Sequence, residues 1–260
     1  RELVLVSPFR QVARVRQSNS AAVQMPKKTG QISAVWVSEV GSRSALSGTQ
    51  FGLETIPNHE ITATVDISMQ DLEDSQFDLE GELRFEFAEQ FAAAEGAAFI
   101  SGNGVGKPEG VLTNTSVTWT DTAASNVYAG DDIIDLVFRL EEPYANNATF
   151  ILRRSTIGVI RKLKSAVDGH YIWQPGLANV APGTLMDRPY IGMPDMPATG
   201  VDNNKTIAFG DFKRGYVIVD RINMSVLRDP FTQAGSGMVR FVARKRVGGQ
   251  VVLAEAIKGL

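Results

Sequence analysis

One glycine-rich segment has the residue types of a nucleotide-binding loop. Residues 102–110 have the sequence Gly-Asn-Gly-Val-Gly-Lys-Pro-Glu-Gly. A phosphate-binding loop needs the pattern G-x-x-x-x-G-K-[ST] between a strand and a helix, so that backbone amides and the lysine hold the phosphates. Here the spacing before Gly106 is one residue short, Pro108 replaces the magnesium-binding hydroxyl, and a predicted helix precedes the segment. The pattern therefore predicts a turn that uses the freedom of glycine at positive φ.

The histidines and acidic residues give no catalytic or metal-binding pattern. His59 and His170 are the two histidines and there is no cysteine, whereas zinc sites need clusters of such ligands. The G-x-S-x-G, H-E-x-x-H and EF-hand motifs are absent. The 29 acidic residues could still supply two carboxylates for hydrolysis. We therefore expect no catalytic residue, metal or cofactor, and an enzyme of an unrecognised α+β class stays as an alternative.

The composition favours a folded protein that neither crosses a membrane nor wraps nucleic acid. Of the 260 residues, 43% are hydrophobic and 21% are charged, which is ordinary for a globular chain. The longest apolar runs are far shorter than the roughly 20 residues needed to span a bilayer. With 26 basic and 29 acidic side chains, the net charge of −3 gives no general electrostatic attraction for a polyanion.

Two segments near the start of the chain are candidates for contacts with other molecules. Arg10, Arg14 and Arg16 follow Glu2 with no further acid up to Gln17, which fits either an edge strand with a basic face or an arm lying on a neighbouring subunit. Residues 38–60 form a polar, glycine-containing connection about twice the usual length, and such loops are functional or disordered. The strand-like runs on its two sides, 31–37 and 61–69, could pair as a long hairpin.

The rest of the chain predicts an α+β fold with mixed antiparallel sheets. A helix is predicted from Asp74 or Ser75, either of which can act as its N-cap, to about Phe99. At roughly 25 residues it would be about 37 Å long. Apolar residues recur every four positions along it. Two shorter helices are predicted, one from Asp131 or Asp132 and one over 155–164, with strands over 150–152, 207–211, 215–220, 224–227, 238–243 and 251–254.

The ordered series of these features resembles the major capsid proteins of tailed phages, which have the Hong Kong ninety-seven-like fold, including the capsids of phage-derived gene transfer agents. The resemblance rests on segments that follow one another in the expected order over nearly the whole chain. These segments are 99–112, 186–197, 207–212, 216–221, 227–230, 246–249 and 255–257.

The resemblance implies an architecture of four parts. They are an N-terminal arm (1–29), an extended loop hairpin (30–69), a peripheral domain with a long spine helix (70–117 and 226–260) and an axial domain (118–225). It also implies self-assembly as pentamers and hexamers into an icosahedral-type shell. That shell would enclose double-stranded DNA without sequence-specific contacts, inside a virion or phage-like particle.

The same resemblance implies assembly in a bacterial host cytoplasm, with portal, scaffold, protease and decoration proteins as partners and no membrane. Arg1 fits the family's proteolytic maturation of the N-terminus. Encapsulin nanocompartments share the architecture but enclose enzymes, so an encapsulin-like shell is a further alternative.

The long loop departs from one family pattern. Some relatives weld their shells with an isopeptide bond between a lysine of the extended loop and an asparagine. Between residues 38 and 60 the only lysine or arginine is Arg43, whose guanidinium stays protonated and is a poor nucleophile. We therefore expect a non-covalent shell. The predicted inter-subunit contacts are made by Arg10, Arg14, Arg16, Arg43 and Glu54.

Overall fold

The computed structural model describes residues 7–28, 51–75, 78–122, 128–164, 184–200 and 204–260, together with Gly30 and Trp36. The helices in these segments are α1 (Phe9–Val12), α2 (Met69–Asp74), α3 (Leu79–Ser101), α4 (Gly130–Phe138), α5 (Glu142–Ala145), α6 (Arg154–Arg161) and α7 (Phe212–Gly215). The strands are β1 (Arg14–Gln17), β2 (Ala22–Lys28), β3 (Phe51–Pro57), β4 (His59–Ser68), β5 (Thr118–Trp119), β6 (Thr149–Leu152), β7 (Thr184–Leu185), β8 (Arg188–Gly192), β9 (Ile207–Gly210), β10 (Tyr216–Asp229), β11 (Met238–Val251) and β12 (Ile257–Gly259).

The strands form two main sheets and a ribbon. One sheet has the order β1-β10-β11-β4, the second has the order β5-β12-β9-β6-β8-β7, and β2 pairs with β3. β10 and β11 have 14 residues each, so their antiparallel hairpin is about 46 Å long at about 3.3 Å per residue. The α+β prediction is confirmed. Its sheets also contain parallel pairs, namely β1 with β10, β5 with β12 and β6 with β8.

The long helix starts later than the sequence predicts. Residues 69–74 form the separate helix α2, and the backbone of Ser75 is extended. The N-cap of α3 is Asp78, whose carboxylate accepts a hydrogen bond from the amide of Gly81 at 3.0 Å, as a capping side chain should. The helix is then continuous for 23 residues. Its buried Phe87 and Phe91 pack in one cluster with apolar residues of β11, so the helix is held against the long hairpin.

The N-terminal segment is part of the chain's own core. The side chain of Phe9 in α1 is fully buried, and its ring centroid lies 5.8 Å from that of Phe99 and 4.9 Å from that of Tyr216. The next residues form β1, which pairs in parallel with β10 from Arg14↔Val217 to Gln17↔Asp220. Residues 14–17 are therefore an edge strand of the chain's own sheet with an exposed basic face, and contact of this segment with a neighbouring subunit stays a prediction.

The strand predicted over 61–69 is present as β4, but its described partner is β11. The register runs from Met238↔Ser68 to Val247↔His59. The run proposed as its hairpin partner, 31–37, lies outside the described residues, apart from Trp36. Within the predicted extended loop hairpin (30–69) the structure describes β3 and β4, and β3 pairs with β2 of the predicted N-terminal arm, where Met25 faces Glu54. The four-part division of the chain stays a prediction.

The two shorter predicted helices are present with different starts. α4 begins at Gly130, and Asp132, predicted as a possible N-cap, instead accepts a hydrogen bond from the amide of Ala129 at 2.9 Å. α6 begins at Arg154 and ends three residues before the predicted end. Helix ends are the part of an element that local sequence fixes least, because several polar residues near an end can all accept the free amides.

The glycine-rich segment after α3 is a closed turn. Gly104 and Gly106 have φ of 76° and 68°, the region that glycine enters without strain. The amide of Gly110 donates to the carbonyl of Gly102 at 2.8 Å, and the buried Tyr216 hydroxyl donates to the carbonyl of Glu109 at 2.6 Å. The segment is thus fixed to the core by backbone contacts, which agrees with the predicted turn.

Candidate functional site

A network of four charged side chains joins the N-terminal segment to the long helix and both strands of the long hairpin. Arg10 of α1 donates to Glu95 of α3 through Nε at 2.9 Å and Nη2 at 2.7 Å. It also donates to Asp220 of β10 through Nη1 and Nη2, both at 2.8 Å. Lys245 of β11 places Nζ 2.5 Å from the other oxygen of Glu95. We call these four residues the charge clamp.

Burial makes the charge clamp depend on every one of its members. The side chain of Glu95 is 2% exposed and that of Arg10 is 17% exposed. Burial alone would lower the pKa of Arg10, but the hydrogen bonds and charges of Asp220 and Glu95 outweigh it and raise that pKa. Arg10 therefore carries its charge at every accessible pH. A buried carboxylate of this kind is tolerable only while its cations stay in place.

The five predicted contact residues differ in their surroundings. Arg10 is occupied within its own chain, whereas Arg14 and Arg16 lie on the exposed strand β1 and form no salt bridge among the described residues. Glu54 accepts a hydrogen bond from Gln250 at 2.7 Å and lies 3.6 Å from Lys27. Arg43 lies outside the described residues. Contacts of these side chains with another subunit stay predictions.

Large apolar side chains are exposed at positions remote from the core. On the outward face of β3, Phe51 is 71% exposed and Leu53 is 70% exposed. At the far end of the long hairpin, Leu227 is 64% and Phe231 is 85% exposed. Single exposed apolar residues are ordinary. Their grouping on one ribbon face and one hairpin end is typical of surfaces that contact other proteins.

The described residues do not assemble a catalytic constellation. In those segments no three His, Asp or Glu side chains are grouped to hold a metal ion. The carboxyls with shifted pKa have local structural causes. A hydrogen bond from Arg240 lowers the pKa of Asp66 and one from Thr232 lowers that of Asp229, while burial raises the pKa of Asp195. None of the described helices has the length and hydrophobicity of a membrane-spanning segment.

Sequence reasoning missed three of the four residues of the charge clamp. Glu95 was the one that could have been found, because it occupies an apolar stripe. Phe87, Phe91, Glu95 and Phe99 follow one another at intervals of four, so all four lie on the same side of the helix. A carboxylate in such a row predicts a buried partner of opposite charge. Asp220 and Lys245 carry no comparable signal, since each lies in a strand that also has exposed charges.

Comparison with known proteins places the chain among phage capsids. The model of the phage capsid family matches residues 1–260. The structure titled "Capsid of native GTA particle computed with C5 symmetry", where GTA stands for gene transfer agent, is 38% identical. The match has a TM-score of 0.90 and covers 100% of this chain and 91% of that chain. The capsid of the empty GTA particle is 37% identical, with a TM-score of 0.89 and the same coverage.

A more distant structure shares the fold. The chain from Microbacterium phage Oxtober96 is 16% identical and has a TM-score of 0.78, with coverage of 98% of this chain and 90% of that one. A comparison with curated protein sequences gives no match. The enzyme and encapsulin alternatives are therefore not favoured. The chain belongs to the phage capsid family, and it is a major capsid protein that builds a shell from copies of itself.

Proposed function

We propose that the subunit assembles as pentamers and hexamers into an icosahedral-type shell that encloses double-stranded DNA in a particle of the gene-transfer-agent type. The observation that carries this proposal is the 38% identity, over the whole chain, to the capsid of a native GTA particle. That structure was computed with C5 symmetry, which supports five-fold grouping of the subunits. Closed symmetry of this kind repeats each contact over many copies.

The exposed elements supply the surfaces that such a shell needs. The ribbon of β2 and β3 and the end of the long hairpin expose apolar side chains, and the basic edge strand β1 exposes Arg14 and Arg16. We assign these three surfaces, together with Arg43 and Glu54, to contacts between neighbouring subunits. Under this proposal the exposed parts of the segments 1–29 and 30–69 contact neighbours, the axial domain 118–225 surrounds the symmetry axes, and 70–117 with 226–260 forms the periphery.

The cargo is tested by nuclease protection. Purified particles treated with DNase should retain double-stranded DNA, which becomes sensitive to the nuclease only after the shell is opened with denaturant. Portal, scaffold, protease and decoration proteins, and assembly in a bacterial host cytoplasm, belong to the same proposal. Particles that hold a protein cargo and no protected DNA would contradict it.

The shell should be held together without covalent bonds between subunits. The sequence has no lysine between residues 38 and 60, so the extended loop lacks the amine that an isopeptide bond requires. Denaturing electrophoresis of boiled particles should show the capsid subunit as one band, with no bands at multiples of its mass. A ladder of linked subunits would show that this expectation is wrong.

A further inference from the structure

A groove beside α6 is lined by cationic and hydroxyl side chains. Its volume is about 590 Å³, and the lining residues that bear on its chemistry are Arg153, Arg154, Ser155, Arg161 and Tyr190. We call it the basic groove. No aspartate or glutamate is among the described residues that line it. Asp195 follows the lining residue Pro194 in sequence and is half-buried. Burial raises the pKa of Asp195, and the positive charge of Arg153 acts in the opposite direction. The groove therefore carries an excess of positive charge.

Two of these arginines occupy a position that is electrostatically unfavourable within the chain. Arg153 is the N-cap of α6 and Arg154 is its first residue, and the first turn of the helix contains no acid. The N-terminus of a helix carries partial positive charge, so acids stabilise it and cations destabilise it. Both arginines are exposed, and neither forms a salt bridge among the described residues. The charge of Arg153 acts on Asp195, but no salt bridge among the described residues offsets the unfavourable position of the two arginines.

The surrounding sequence concentrates the positive charge further. Residues 153–164 contain five lysines and arginines and no acid, in a chain whose net charge is −3. Arg161 at the end of α6 donates to the Tyr190 hydroxyl at 3.3 Å, which fixes it on the wall of the groove. One guanidinium group can donate two parallel hydrogen bonds to two oxygens of a phosphate, and hydroxyl groups add further donors. The chemistry of the groove therefore suits a phosphate ligand.

We propose that the basic groove binds phosphate groups of the packaged DNA, independently of base sequence, and that α6 faces the lumen of the shell. The inference rests on the proposed function, which supplies DNA as the enclosed polyanion. Duplex DNA carries about one negative charge per 1.7 Å of its axis. The net charge of the chain predicts no general electrostatic attraction to DNA, but the basic groove provides a local site of positive charge.

Carboxylates of a second subunit are the competing occupant. Residues 71–89 carry eight acids and one arginine and could meet the basic groove of a neighbouring copy. One of these acids, Glu80, already pairs with Arg228 of its own chain at 3.3 Å. DNA and a second subunit can be told apart as the occupant. Loss of a contact between subunits impairs assembly, whereas loss of a contact to DNA does not.

The test compares DNA binding and assembly in the same variants. Arg153→Gln combined with Arg154→Gln removes two cations, and Lys107→Gln combined with Arg139→Gln removes two exposed cations outside the groove as the matched control. Binding of unassembled protein to a labelled random duplex is followed by fluorescence anisotropy. Between about 50 and 200 mM salt, three phosphate contacts lose about 40-fold in affinity and one contact loses about 3.5-fold. We expect the loss of about 40-fold for the wild type and the control, and the loss of about 3.5-fold for the groove variant.

A third variant separates binding from stability. Arg154→Glu places an acid at the start of α6, so the thermal midpoint of the subunit should rise by about 1–3 °C while binding to the duplex weakens. All variants should form shells in wild-type yield. Impaired assembly of the groove variant with unchanged DNA binding would assign the groove to a second subunit and overturn the proposal, as would equal salt dependence in all proteins. The binding assay uses added DNA, so its result does not depend on whether purified particles contain DNA.

Discussion

Replacing Arg10 by alanine should lower the free energy of unfolding by about 3–5 kcal/mol, the cost of leaving one charge of a buried pair without its partner. The substitution removes four hydrogen bonds to Glu95 and Asp220 and leaves Glu95 in the core with Lys245 alone. The loss also removes the side-chain link from α1 to α3 and β10, while Phe9 stays buried in the core and β1 stays paired with β10. Urea unfolding followed by circular dichroism gives the change directly.

The matched control is Arg14→Ala, which removes an exposed arginine without a salt bridge among the described residues. It should change the free energy of unfolding by no more than about 0.5 kcal/mol. Because the cost arises from a buried carboxylate that has lost one of its two cations, adding Glu95→Gln to Arg10→Ala should restore part of the stability. Equal, small effects of Arg10→Ala and Arg14→Ala would show that the charge clamp does not stabilise the subunit.

Replacing Phe99 by alanine should lower the free energy of unfolding by about 3–5 kcal/mol, because it leaves a cavity at the centre of the core. Phe99 is fully buried near the C-terminal end of α3, and its ring lies 5.8 Å from that of Phe9 and 5.9 Å from that of Tyr216. The ring thus connects the N-terminal segment, the long helix and the start of β10. We expect a lower urea midpoint and little assembled shell.

Phe231→Ala removes the same side chain from the exposed end of the long hairpin, where the residue is 85% exposed. It should leave the urea midpoint of the subunit unchanged, because an exposed side chain contributes little to folding. If the hairpin end contacts a neighbour, this variant should reduce the yield of shells. An unfolding midpoint lowered as much as in Phe99→Ala would contradict the division between core and contact residues.

The sequence predicted most of the elements because their periodicity reflects burial on one face. The stripe through Phe87 and Phe91 identified α3, and the alternation over 61–69 identified β4. Strand partners could not be predicted in the same way. Residues 61–68 pair with β11, which lies 170 or more residues later. The alternation shows which face of a strand is buried but not which strand pairs along its edge.

The contact residues were harder to predict than the fold. The basic N-terminal segment fitted either an edge strand or an arm, but Arg10 points into its own chain because Glu95 and Asp220 face it. Charge counts in sequence do not show which acid meets which base. The same limit applies to the basic groove, where the informative feature is the position of Arg153 and Arg154 on α6 rather than the total charge.

The central claim is that this chain builds a closed shell from copies of itself, and electron microscopy of the purified protein tests it most directly. We expect closed polyhedral particles of megadalton mass whose surface resolves into five-fold and six-fold clusters of subunits. Exposed parts of the segments 1–29 and 30–69 should contact adjacent subunits in the reconstruction. A protein that stays a monomer or small oligomer under conditions where it is folded would contradict the account.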